Sequence, residues 1–210
     1  MPSSPNDAGE DPNWRPYGVL EEAPTSHHYK NQTAGRLSKS FTDRIKHERE
    51  ILASSLPPNI LVRAFEDRLD LMRCLIVGPV GTPFANAPFL FDLHLDPKTY
   101  PKEPPEMYFY SWSGKERISP NLYTEGYVCL SLLGTWDGKG SERWVPKSST
   151  ILQLVVSVQG LVMIQQPYFT EPGYESTKGM SHAQLQRYPV PPCPGRPMSV
   201  ADRIPLPAGL

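Results

Sequence analysis

The chain is poor in the features that mark secreted, membrane-spanning and nucleic-acid-binding proteins. Its 210 residues include three cysteines and no Cys-x-x-Cys pair. This scarcity disfavours a disulfide scaffold or a structural zinc site and suits a reducing compartment. A net charge of −1 supplies no field that would attract nucleic acid or an anionic membrane. The first residues lack the charged start and apolar stretch of a secretion signal. We therefore expect a cytoplasmic or nuclear protein that needs no metal or other cofactor and binds neither nucleic acid nor membrane.

One long segment lacks charge altogether, from Ser148 to Thr170. Glutamines, serine and glycine interrupt it, which favours a buried helix over a membrane span. Its apolar residues recur at helical spacing after a serine pair that is able to cap a helix; they are Ile151, Leu154, Val155, Val158 and Val162. The pattern predicts a long central helix that ends near Pro167, followed by a short C-terminal helix between Gly173 and Tyr188.

The 25 prolines are unevenly distributed. The first 35 residues contain five prolines and show no apolar period, which predicts a disordered arm over residues 1–35. Seven more prolines lie between Pro189 and Pro207, and they predict a Pro-rich disordered tail over residues 189–210. The domain itself is expected to span residues 36–188. Aromatic and aliphatic residues around Trp14 and Tyr17 leave a docking motif in the arm as an open alternative.

The middle of the chain predicts one helix and four strands. Ser40 and Asp43 form a helix-start signature, and Phe41, Ile45, Leu52 and Leu56 then share one helical face. The opposite face is basic, and it is either solvated or a docking surface. The strand candidates are Ile60–Phe65, Leu69–Val77, Phe89–Leu95 and Met107–Trp112. Short connections favour an antiparallel meander covered by helices, an α+β fold. In the third strand, His94 falls on the face expected to meet solvent.

The segment between Ser119 and Pro146 contains the residues suited to chemistry. Cys129 lies eight residues after Asn121 and three after Gly126. A thiolate is a strong nucleophile towards acyl groups, and a side-chain amide donates hydrogen bonds to an oxyanion. No histidine follows closely enough to indicate a protease-type Cys–His pair.

This segment resembles the active-site segment of ubiquitin-conjugating enzymes, in which His-Pro-Asn precedes Gly-x-x-Cys-Leu and Trp-x-Pro. The matching residues are Pro120, Asn121, Gly126, Cys129, Leu130, Trp144 and Pro146. Two proline-rich turns before it, Gly78–Phe84 and Tyr100–Pro105, also resemble family landmarks. The Leu-Gly-Thr-Trp sequence that ends at Trp136 resembles the subgroup of large hybrid conjugating-enzyme/ligase proteins that includes BRUCE.

The resemblance implies a mechanism and partners. Cys129 would accept ubiquitin, or a related modifier, from the activating enzyme as a thioester, and would pass it to a substrate lysine or to a ligase. Asn121 would donate to the oxyanion, or only support its loop. Glu171, which matches an acidic position between two prolines, would orient the incoming lysine or be an ordinary surface carboxylate. The alternative function is a catalytically inactive variant that holds ubiquitin or scaffolds a partner.

Three departures from the family pattern affect these expectations. Ser119 stands where the family usually has histidine, so the loop must pack differently there. Lys102 replaces an aromatic residue that meets ligases in several members, which points towards ligase-independent transfer. About seven extra residues lie between Leu133 and Trp144, and the resulting Gly134–Arg143 insertion is either an ordered flap near Cys129 or a solvated excursion.

Overall fold

The computed structural model describes residues 15–112, 118–135 and 140–167, and within them it contains a five-stranded sheet. The strands are β1 (Tyr17–Leu20), β2 (Ile60–Phe65), β3 (Leu71–Val77), β4 (Pro88–His94) and β5 (Glu106–Phe109), and they neighbour one another in chain order. Strands β2 to β5 form the predicted antiparallel meander. Strand β1 was not predicted, and it pairs in parallel with β2. The α+β fold class is confirmed.

The first helix, α1 (Lys39–Ser55), begins two residues earlier than the sequence predicts. Ser38 is its N-cap, because its hydroxyl accepts a hydrogen bond from the Phe41 amide and so satisfies one of the unpaired donors at a helix start. Its predicted basic face is divided between two environments. Lys46 and His47 are exposed. Arg44 instead donates to the main-chain oxygen of Ser149, so that side chain joins α1 to the segment before the second helix.

The second helix is shorter and less regular than predicted. Helix α2 (Ile151–Ser157) is capped by Thr150, not by the serines before it, and it continues as a π-helical turn over Val158–Val162. The Val158 amide donates to both the Leu154 and Val155 oxygens at the end of α2. Several β-branched residues and Gly160 disfavour continued α-helix here. The predicted C-terminal helix and tail lie outside the described residues.

Both helices cover one face of the sheet and form the main core. Alternate residues of the strands point to this face, as the period of two requires, and side chains of α1 and α2 fill the space between them. The central contributions come from Ile45, Leu52, Val62, Phe91, Phe109, Leu154 and Val158. Cys74 belongs to this core and is fully buried, as its alternation with bulky apolar residues predicts.

The prediction of a disordered arm over residues 1–35 is wrong for residues 15–35. After β1, the chain crosses the second face of the sheet and buries Ala23 and Tyr29 against Phe65 and Leu71. The sequence shows no apolar period here because the segment packs through isolated residues and turns. Residues 1–14 lie outside the described part of the chain.

A buried ionic network holds this N-terminal segment to the sheet. Asp92 on β4 is fully buried. It accepts two hydrogen bonds from Arg73, at 2.6 and 2.9 Å, and one from the His28 amide at 2.7 Å. His27 Nε2 lies 3.0 Å from the Met72 oxygen and 3.5 Å from Asp92 Oδ1, and burial lowers the pKa of His27 despite the nearby carboxylate. Asp92 therefore serves both the strand and the segment that covers it.

The expected solvent exposure of His94 is also wrong. His94 is 8% exposed, because Tyr29 stacks on its ring with 5.5 Å between ring centroids. Its Nδ1 lies 2.8 Å from Glu106 Oε2 across β4 and β5. The N-terminal segment thus converts the face predicted to meet solvent into a second, smaller core.

Deleting the ordered part of the N-terminal segment should destabilise the domain. We expect a chain that begins at residue 36 to melt on the order of 10 °C below one that begins at residue 15, because the shorter chain loses β1 and exposes Phe65 and Leu71. Both versions share the rest of the sequence, so the difference in calorimetric melting temperature belongs to residues 15–35. Equal melting temperatures would show that this segment adds nothing to stability.

Candidate functional site

Cys129 and Asn121 are joined directly by main-chain and side-chain hydrogen bonds. The Cys129 amide donates to the Asn121 oxygen at 2.9 Å, and the Asn121 side-chain nitrogen donates back to the Cys129 oxygen at 3.0 Å. The two residues are 3% and 8% exposed. The loop from residue 118 to residue 135 therefore brings these two predicted site residues together. The amide of Asn121 supports the cysteine segment in this conformation.

Ser119 supports the same loop from its beginning. It is fully buried, and its hydroxyl accepts a hydrogen bond from the main-chain N–H of Asn121 at 3.3 Å. A bridge between residues 119 and 122 and another between 122 and 128 give the loop its folded shape. A short hydroxyl acceptor thus occupies the position where the resemblance leads one to expect an imidazole. The packing difference expected at Ser119 is a small buried side chain that bonds its own loop.

Gly126 allows the loop to turn against the sheet. Its φ is +93°, a value that residues with a Cβ rarely adopt. A Cβ at this position would lie 1.9 Å from the Tyr108 ring, while the Gly126 oxygen accepts a hydrogen bond from the Phe109 amide on β5. Glycine is therefore required by both conformation and space, and it fixes the loop three residues before the cysteine.

Replacing Gly126 with alanine should cost about 3 kcal/mol of unfolding free energy, from left-handed strain and overpacking together. The matched control is Gly81→Ala, since Gly81 also has a positive φ of 83°, but a Cβ added there would meet open space. We expect about 1 kcal/mol for the control. Chemical denaturation of both variants measures the difference, and equal losses would remove the Tyr108 contact from the explanation.

Thr135 covers the cysteine from the opposite side. Gly134 turns the chain in the left-handed region, with φ of 69°, after a short 3-10 helix over Ser131–Leu133. Thr135 then lies with its main-chain oxygen 3.5 Å from Cys129 Sγ. The start of the insertion therefore lies against the thiol, and its later described residues Gly140, Glu142 and Arg143 are exposed. Its residues 136–139 lie outside the described part of the chain. Sequence inspection missed Thr135 as a site residue, although the Gly-Thr pair directly after an apolar turn was a usable signal.

The chain beyond the insertion is anchored to the proline-rich loop and to α1. Trp144 donates from its indole nitrogen to the Pro101 oxygen at 2.8 Å. Glu48 on α1 is fully buried and accepts hydrogen bonds from the Tyr100 hydroxyl and the Ile151 amide. These contacts fix both the loop around Tyr100 and the start of α2, so the insertion is held at each end by ordered structure.

Cys74, the other cysteine in the described part of the chain, lies in the main core of the domain. Burial raises the pKa of the Cys74 thiol, and a thiol that stays protonated is a poor nucleophile. Glu171 and Cys193 lie outside the described residues. Among residues 15–112, 118–135 and 140–167, no cluster of three or more metal-binding side chains occurs. In those same ranges, no helix is both long and apolar enough to cross a membrane. Within this part of the chain, Cys129 is the cysteine that lies beside a side-chain amide, that of Asn121.

Comparisons with known proteins agree on one family. Residues 44–188 match the family model described as "Ubiquitin-conjugating enzyme". The chain is 49% identical over 170 residues to a probable ubiquitin-conjugating enzyme E2 25 from Arabidopsis thaliana, covering 80% of this chain and 27% of that protein. It is 46% identical over 169 residues to a putative E2 38 from the same plant, covering 80% and 51%.

The similarity extends to a hybrid enzyme. Human BIRC6, named a dual E2 ubiquitin-conjugating enzyme/E3 ubiquitin-protein ligase, is 42% identical over 162 residues, which are 73% of this chain and 3% of BIRC6. The subgroup resemblance seen in the sequence is thus supported by a hybrid relative. This chain spans about a quarter to a half of the length of the two plant relatives and a small part of BIRC6.

Proposed function

This chain belongs to the ubiquitin-conjugating enzyme family, and from that membership we propose that Cys129 accepts ubiquitin as a thioester from the activating enzyme. The thioester is then transferred to a substrate lysine or to a ligase cysteine. The observation that carries the proposal is the pair of hydrogen bonds, at 2.9 and 3.0 Å, that join Cys129 to Asn121 in one buried loop. The partners are therefore ubiquitin, the activating enzyme, a lysine-bearing substrate and, for some substrates, a ligase. Its place of action is the cytoplasm, the nucleus or both.

The two steps need little from the protein beyond position. Thioester exchange replaces one sulfur with another, so an ordinary thiol near its usual reactivity suffices. Aminolysis is more demanding, because negative charge develops on the thioester oxygen while the lysine nitrogen attacks. Asn121 is the proposed donor, and its side-chain nitrogen lies 3.0 Å from the Cys129 main-chain oxygen. Glu171 is proposed to orient the lysine and assist its deprotonation.

Transfer without a RING-type ligase is a further part of the proposal. Lys102 is exposed where an aromatic residue would offer apolar contact to a ligase, and charged residues are depleted from the centres of such interfaces. Thr135, near the start of the insertion, lies with its main-chain oxygen 3.5 Å from Cys129 Sγ, and this contact supports the proposal that the insertion restricts the attached ubiquitin. Fewer conformations of the thioester would raise the rate of attack by lysine.

A charging reaction, in which ubiquitin is attached to the protein as a thioester, distinguishes an active enzyme from an inactive binding variant. The protein is incubated with activating enzyme, ATP and ubiquitin, and then run on a gel with and without reductant. We expect an adduct of one ubiquitin that disappears with reductant. A protein that binds ubiquitin in solution but forms no adduct would instead be the inactive variant, an outcome that the low exposure of Cys129, 3%, makes a definite alternative.

A further inference from the structure

The residues on both sides of Cys129 are bound by one hydroxyl group. Thr135 Oγ1 accepts a hydrogen bond from the Leu130 amide at 2.8 Å. The same hydroxyl lies 2.8 Å from the Val128 oxygen and 3.1 Å from the Leu130 oxygen, to either of which it donates. On the other side of the loop, Asn121 bonds the amide and the oxygen of Cys129 itself. The cysteine main chain is therefore held between Asn121 and Thr135.

Thr135 also contacts the thiol through its main chain. Its oxygen lies 3.5 Å from Cys129 Sγ and accepts the thiol hydrogen. The Tyr127 hydroxyl, on a side chain that is 48% exposed, donates to the same oxygen at 3.5 Å. Reacting atoms must approach to about 3–3.5 Å before bond formation. Cys129 is 3% exposed, so the contacts over its sulfur, including the one with the Thr135 oxygen, have to open before a thioester reaches it.

From these contacts we propose that Thr135 is a positioning residue for Cys129. Its hydroxyl fixes the main chain that carries the nucleophile, and its main-chain oxygen covers the thiol before ubiquitin is attached. In charging, the Cys129 sulfur attacks the thioester carbon on the activating enzyme. A carbon–sulfur bond forms to Cys129, the bond to the enzyme's sulfur breaks, and the proton from Cys129 ends on that departing thiol.

The two contacts of Thr135 respond differently to this reaction. Once Cys129 carries an acyl group, its sulfur has no hydrogen to donate, so the bond to the Thr135 oxygen is lost. The Thr135 hydroxyl bonds main-chain groups of residues 128 and 130, and acylation of the Cys129 sulfur does not change those groups. These bonds therefore remain available once ubiquitin is attached. The hydroxyl therefore holds the nucleophile in both states, while the main-chain oxygen covers the sulfur only before charging.

Two variants that differ in the hydroxyl group test this role. Thr135→Val replaces the hydroxyl with a methyl group, and Thr135→Ser keeps the hydroxyl. Since the role rests on the proposed function, two readouts are needed. The first is alkylation of Cys129 by iodoacetamide, followed by mass spectrometry of its peptide. The second is charging, analysed as kcat and as KM for the ubiquitin-loaded activating enzyme.

We expect Thr135→Val to alkylate severalfold faster and to charge with kcat reduced about tenfold or more, with little change in KM. Thr135→Ser should match the original protein in both. Cys74 is an internal control because it is fully buried, so faster alkylation at Cys129 alone excludes general unfolding. Unchanged charging by Thr135→Val, equal defects in both variants, or parallel labelling of Cys74 would overturn the role. If the original protein never charges, the proposed function fails, while the alkylation comparison still tests whether the Thr135 hydroxyl positions Cys129.

Discussion

Replacing Asn121 with alanine should slow transfer of ubiquitin from Cys129 to free lysine by about 10²–10³-fold, the usual cost of losing one oxyanion donor. Charging should decline much less, because thioester exchange proceeds between sulfurs of similar chemistry. The expectation depends on the short distance between the Asn121 amide and the cysteine main chain, 3.0 Å. Single-turnover discharge of preformed thioester into lysine, followed on non-reducing gels, measures the effect.

The structure also shows Asn121 supporting its loop, so a control for loop damage is essential. Ser119→Ala removes the hydroxyl that accepts a hydrogen bond from the main-chain N–H of Asn121, and it keeps the Asn121 side-chain amide. We expect this variant to discharge within a few-fold of the original rate. If Asn121→Ala lost charging and discharge together and also melted at a lower temperature, its amide would be a loop support and not an oxyanion donor.

Replacing Glu48 with alanine should cost about 3–5 kcal/mol of unfolding free energy, the range seen when one partner of a buried ion pair is removed. Glu48 is fully buried. It pairs with Arg44 at 2.6 Å, accepts from the Tyr100 hydroxyl at 2.6 Å and accepts from the Ile151 amide at 2.9 Å. The alanine variant leaves all three donors without that carboxylate. Urea unfolding followed by tryptophan fluorescence measures the loss.

The matched control for Glu48 is Glu50→Ala, on the exposed side of the same helix. Both substitutions change helix propensity and net charge equally, so their difference isolates the buried contacts. We expect Glu50→Ala to change stability by less than about 0.5 kcal/mol. A Glu48→Ala variant as stable as this control would show that the carboxylate is dispensable for joining α1, the Tyr100 loop and α2.

The sequence predicted those parts of the fold in which neighbouring residues determine the structure. Strand β2 has the predicted bounds, and the apolar alternation of β4 identifies its core face correctly. The pairing of Cys129 with Asn121 followed from a local motif whose members lie within eight residues of each other. In these cases a side-chain period or a short motif carries most of the structural information.

The sequence could not reveal contacts that depend on distant parts of the chain. Glu48 occupies a core position of α1, yet nothing near it indicates that Tyr100 and Ile151 will supply its hydrogen bonds. The burial of Asp92 depends on a segment that crosses the sheet over sixty residues earlier in the chain. Prolines and the lack of a period made that segment resemble a disordered arm, because isolated anchors leave no periodic signal. Thr135 was missed for a similar reason, since its role depends on the folded loop.

Attachment of the thioester to Cys129 is tested most directly by charging cysteine variants side by side. With activating enzyme, ATP and ubiquitin, Cys129→Ser should form an adduct that resists reductant, because an oxygen ester replaces the thioester, and Cys129→Ala should form none. Cys74→Ser and Cys193→Ser should charge with a reductant-sensitive bond like the original protein. A reductant-sensitive adduct on Cys129→Ala would contradict this assignment and place the acyl group on another cysteine.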